Sequence, residues 1–90
     1  MQISAAETLG LKALAWLASD ESVLFRFLDI SGLGLDDLKS RAGDPEMLAA
    51  VLDFLLSDES LLLQFCEADG LDPVKIPSAR RALPGATPEY

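Results

Sequence analysis

Apolar residues along this chain recur at the three- and four-residue spacing of amphipathic helices. Counted at about 100° per residue, Ala5, Ala6, Leu9, Ala13, Trp16 and Leu17 share one arc, with Thr8 and Lys12 outside it. This predicts a first helix with Trp16 in the core, started by a Ser4–Glu7 capping box. Val23, Leu24, Phe27, Leu28 and Ile30 form the apolar arc of a second helix, and Gly32 follows where a left-handed residue would stop it. After a Gly32–Leu35 connector, Asp36 or Asp37 would cap a brief helix anchored by Leu35 and Leu38 and ended by Gly43. Asp44–Pro45 reads as an N-cap followed by proline at the first helical position. The fourth helix, with Met47, Leu48, Val51, Leu52, Phe54 and Leu55 over a wide arc, is expected to be heavily buried. A fifth, from about Asp58 to Ala68, would bury Leu61, Leu62, Phe65 and Ala68, with Cys66 toward the edge and Gly70 beyond its end. Pro77 disfavours a helical Ile76, so the last helix is placed at Pro77–Leu83 after a turn from Pro73. Pro84, Gly85 and Pro88 predict a disordered tail, residues 84–90.

Two of these segments say nearly the same thing. LAWLASDESVLFRFLDISGL, from Leu14 to Leu33, and LDFLLSDESLLLQFCEADGL, from Leu52 to Leu71, lie 38 residues apart and agree at 10 of 20 positions. An internal repeat follows. The shared SDES predicts helix starts, with Ser19 and Ser57 as N-caps and the carboxylates behind them set against the helix dipole. The fold class expected is all-α, a compact bundle of five to six helices. It is built from two three-helix repeats, residues 4–43 and 44–83, forming one domain over 1–83. Neither half alone is large enough to bury its apolar faces.

Each repeat carries one large apolar residue off its main face. Phe25 points about 200° from Val23, and Leu63 departs from Leu61 by the same angle. Periodicity favours helices that are central and covered on both sides, with an exposed contact surface as the alternative. We expect at least one of the pair to be buried and the other to be a contact. Phe25 is the better candidate contact because Arg26 beside it replaces Gln64, and Arg next to an aromatic is common at interfaces. Phe25, Arg26 and Leu63 are therefore the candidate partner-contact residues.

Charge narrows the function classes. The net charge is −8, and residues 20 to 72 hold 13 acidic side chains against Arg26, Lys39 and Arg41. That stretch repels phosphates, and Lys75, Arg80 and Arg81 are too few to make a nucleic-acid arm. No apolar run is long enough to span a bilayer and the first residues lack a signal-peptide pattern, so a cytoplasmic protein is expected. Cys66 is the single cysteine and there is no histidine. With no basic neighbour to activate it, Cys66 reads as a small packed hydrophobe. Adjacent carboxylates such as Asp20 and Glu21 diverge by about 100° on a helix, which suits capping better than acid–base work. No catalytic, metal or cofactor site is expected, and no enzyme.

The motifs ALAWLASDE, RFL with the following Gly32, and DPEMLAAVLDFLLSDESLLLQFCEADGLDP resemble a family of short all-helical bacterial proteins. That family is mainly alphaproteobacterial and is classed as a domain of unknown function. The resemblance spans roughly residues 5 to 83 and implies a bacterial cytosolic protein, with no activity or site attached. The function expected from the residues is a small acidic protein-interaction or regulatory module, with a protein partner or a homodimer as the assembly. The alternative is an acidic nucleic-acid mimic, or inhibitor of a basic partner, in which Asp20, Glu21, Asp36, Asp37, Asp58 and Glu59 imitate phosphates.

Overall fold

A computed structural model describes residues 1–84, which form six helices: α1 (Ile3–Ala18), α2 (Glu21–Ser31), α3 (Leu35–Ser40), α4 (Pro45–Leu56), α5 (Glu59–Asp69) and α6 (Lys75–Ala82). The all-α class holds. The tail expected from residue 84 lies, beyond Pro84, outside the described residues.

The SDES segments mark helix boundaries, with the capping role shifted by one residue. Ser19 and Ser57 keep helical backbone angles and close α1 and α4; their hydroxyls donate to the Trp16 and Phe54 carbonyls at 2.6 and 2.7 Å. Asp20 and Asp58 are the first residues to leave helical geometry, and they cap the helices that follow. Asp20 Oδ1 accepts from the Ser22 and Val23 N–H groups, and Asp58 Oδ1 accepts from Leu61 N–H. One Ser–Asp pair thus ends one helix and begins the next. At the far ends, Gly32 and Gly70 adopt φ of +74° and +65°, the left-handed cap that the sequence predicts. α2 and α5 start and stop at equivalent positions, 38 apart, with the same aspartate and glycine caps.

Three other boundaries differ from expectation. α1 begins at Ile3, so Ser4 lies inside the helix, where its carbonyl accepts from the Thr8 hydroxyl instead of its side chain forming a capping box. α3 is capped at Gly34, whose N–H donates to the Asp37 carboxylate. α6 starts at Lys75 and contains Pro77 as its third residue. The first-turn N–H groups have no intrahelical acceptor, so the missing proline donor costs nothing there.

The core is built on α1, α4 and α6, which pack against one another; α2 lies against α1 and α4, and α5 against α4. α4 is buried as expected, with Leu48, Val51, Leu52 and Leu55 fully inside. α6, which the prolines make hard to read, is as central: Ile76, Ala79 and the following Leu83 are buried. α1 turns a slightly different arc inward than the pattern suggests, with Gly10 and Leu14 buried and Ala5 exposed. Trp16 is half-buried and tilts against Phe65 of α5, ring centroids 5.7 Å apart, while Phe27 of α2 meets Phe54 of α4 edge-on at 5.4 Å. These pairs fasten the outer helices to the core.

Gly10 sets how closely α1 and α4 approach. A Cβ at this position would lie 2.8 Å from Leu48 Cβ, inside any real carbon–carbon contact. Ala for Gly in a helix normally stabilises by about 1 kcal/mol. Here we expect Gly10→Ala to destabilise, by about 1–3 kcal/mol as for other overpacked sites, because the nearest atom sits at the root of the Leu48 side chain and cannot swing away. Urea unfolding of Gly10→Ala, Leu48→Ala and the double variant checks this: the double variant should lose less than the sum of the singles. The corrected caps give a second expectation. Asp20→Ala should cost about 0.5–2 kcal/mol, with Ser19→Ala costing less in the same denaturation series.

Candidate interaction surface

Phe25 and Leu63 are both exposed, at 52% and 47% of their surface. The expectation that one of them would be covered by the other repeat is therefore corrected. The reason is the packing order: α1, α4 and α6 occupy the centre, and α2 and α5 are outer helices that bury one face only. On α2 that face is Val23, Phe27 and Leu28; on α5 it is Leu61, Phe65 and Cys66. A residue set about 200° from the inner face then meets solvent.

Arg26 has a different role from the one its position beside Phe25 suggests. Its guanidinium Nη2 lies 2.8 Å from Asp58 Oδ2, joining α2 to the cap of α5. Asp58 thus uses one oxygen to cap its helix and the other to hold the first repeat. The Arg26 hydrogen bond, helped by the Leu61 N–H, pulls its carboxyl below the ordinary value of 3.8. Phe25 and Arg26 also line one open, shallow cleft with Leu28, Asp29 and Leu33; Leu63 is not part of it. The structure so brings two of the three candidate contact residues together and leaves the third on α5.

Two exposed residues of the outer helices escape the periodicity reading. Ile30, placed on the buried arc of α2, is 66% exposed, and Ala68, expected to be buried on α5, is exposed as well. These are equivalent positions, 38 apart, in the last turns of the two outer helices. The alanine opposite isoleucine across the repeat is the signal that could have identified them, since a filled core position would not shrink so far without leaving a cavity. Ile30 edges a second cleft, between α2 and α4, with Phe27, Ala50, Asp53 and Phe54.

Several of the other polar groups are engaged with the chain itself. Arg80 of α6, whose side chain is largely buried, donates from Nε to Asp53 Oδ1 at 2.6 Å and from Nη1 to the Pro84 carbonyl. Arg41 pairs with Asp44 and Glu46. Of the six carboxylates considered as phosphate mimics, Asp20, Asp37 and Asp58 accept backbone N–H groups. Cys66 is buried, and burial, followed by the charges of Asp72 and Asp69, pushes its thiol up from the usual value; this is the packed, unactivated cysteine expected. Among the described residues no three metal-ligating side chains gather at one place, and no helix is long and apolar enough to cross a membrane.

The Arg26–Asp58 pair yields a pH expectation. A carboxyl whose pKa is lowered on folding contributes stability that is complete above its ordinary value and lost as pH falls through the folded one. The native chain should therefore lose more stability than Arg26→Ala between neutral pH and about pH 3. Urea midpoints across that range, at low and high salt, check it, and the difference should shrink as salt rises.

None of the curated proteins and none of the solved structures compared matches this chain. A family model described as "Protein of unknown function (DUF3572)" matches residues 3–86, which take in all six helices. The chain belongs to that family.

Proposed function

We propose that this protein is a small acidic interaction or regulatory module without catalytic activity of its own, working through the outer faces of α2 and α5. The observation that carries this reading is the paired exposure of Phe25 and Leu63. A single exposed apolar side chain on a monomer is ordinary. Two at the same position of both repeats, on helices otherwise packed by one face, are better suited to contact with another chain. The exposed carboxylates around them favour a partner of opposite charge, and a cytoplasmic setting belongs to the same reading.

A mimic of nucleic acid has less in its favour, because Asp20, Asp37 and Asp58 are oriented by backbone N–H groups and Asp58 is also paired with Arg26, so their carboxylates are committed to the chain's own helix ends. Phe25→Ser and Leu63→Ser test the proposal. Each should unfold within about 0.5 kcal/mol of the native chain, as exposed substitutions do, and each should weaken self-association in sedimentation or recovery of a partner in a quantitative pull-down. Two stable variants with unaltered association and recovery would remove the basis for it. Partner recovery that collapses with added salt while ignoring both substitutions would favour the mimic.

A further inference from the structure

The cleft between α2 and α4 has a volume of about 380 Å³, with Phe27, Ala50 and Phe54 forming its apolar lining and Ile30 standing at its edge. That is the size of sites that enclose part of a ligand. Its rim carries a single charged side chain, the Asp53 carboxylate that Arg80 holds on Oδ1, and no basic one. Ser31, the last residue of α2, and Ser57, the cap residue of α4, lie on it as well. The carbonyl ends of two helices therefore meet at one opening, and neither helix has a basic residue in its last turn to offset them. The Ser31 and Ser57 hydroxyls donate to the Leu28 and Phe54 carbonyls, and Ser31 Oγ also accepts from Leu33 N–H, so what remains to offer outward is acceptor capacity, chiefly that of Ser57. Arg80, the cation bound to Asp53, is held through Nε on Oδ1 and also donates to Pro84.

We propose that this cleft docks a cationic amphipathic segment of a partner protein. An apolar side chain enters beside Ile30 and over Phe27 and Phe54, while a neighbouring Lys or Arg meets Asp53 and the two helix ends. A second copy fits poorly, since it carries the same charge of −8. An anionic lipid surface is repelled for the same reason. The inference rests on the interaction reading above but uses a different surface from Phe25 and Leu63.

The test uses the full chain, labelled for amide spectra, and two synthetic helical peptides with identical leucine spacing, one carrying Lys and the other Glu at the polar positions. In about 0.15 M salt, the Lys peptide should shift the amides of Ile30, Ala50, Asp53 and Ser57, and the Glu peptide should not. Ile30→Ser changes an exposed residue and no charge, so it should keep the fold and weaken the Lys peptide by about tenfold or more, the effect of losing one good apolar anchor. Phe25→Ser should leave that affinity unchanged. Absence of binding, equal binding of the Glu peptide, or shifts spread over the acidic surface and indifferent to Ile30→Ser would each overturn the proposal. So would cleft shifts that grow with protein concentration alone, which would assign the cleft to a second copy. If Phe25→Ser abolishes binding and Ile30→Ser does not, the cleft proposal fails while the outer-face reading stands.

Discussion

The approach of α1 to α4 across Gly10 and Leu48 is the contact on which the other packing depends. With no side chain at Gly10, Leu48 fits against the α1 backbone, and the two helices come close enough for α6 to lie against both. Widening that gap would also move Leu17, Leu52 and Leu55, which have no exposed surface, and the closely packed interior of a small domain absorbs such shifts poorly. The arrangement of the outer helices follows from this. α2 is held through Val23, Phe27 and Leu28, α5 through Leu61, Phe65 and Cys66, and the Arg26–Asp58 pair joins the two across the surface.

The same geometry accounts for where apolar surface remains. A three-helix centre offers limited area, and two further amphipathic helices laid on it can each bury one side. Phe25, Ile30 and Leu63 are left outside by that limit. The acidic residues around them keep so apolar a surface compatible with water, and this solubilising effect does not require a binding role for the charge. In the proposed reading, contact through the apolar residues and solubility through the carboxylates are complementary uses of one surface.

The helices were legible wherever a local rule decides the backbone. Gly32 and Gly70 stop α2 and α5 because the left-handed conformation favours glycine, and Pro45 starts α4 because its ring angle already suits a helix. Ser19 and Ser57 mark the right boundary but close the helix before it, since serine and aspartate are both good caps and only the chain path shows which residue turns first. Pro77 suggests a barrier and so a later start for α6, although a first-turn proline removes a donor that has no acceptor. What periodicity could not supply is how many faces of a helix are covered. An arc of apolar residues looks alike on a central and an outer helix, so periodicity puts Ile30 inside and predicts burial of at least one of Phe25 and Leu63, whereas all three are exposed. Gly10 gave no warning either, because its importance lies in an atom it lacks opposite a residue far along the chain.

The central position of α6 also bears on how the molecule reaches its native state. The α1–α2 and α4–α5 hairpins can form from neighbours in sequence, on the microsecond scale of local helical contacts. α1 and α6, however, are separated by the chain from Ser19 to Val74, further than α1 from α4, so their union closes the longest loop among the core contacts. Until that loop closes, the sides of α1 and α4 that receive Ile76, Ala79 and Leu83 remain wet. The late docking step of folding should then belong to eight helical residues whose local sequence is among the least helix-like in the chain.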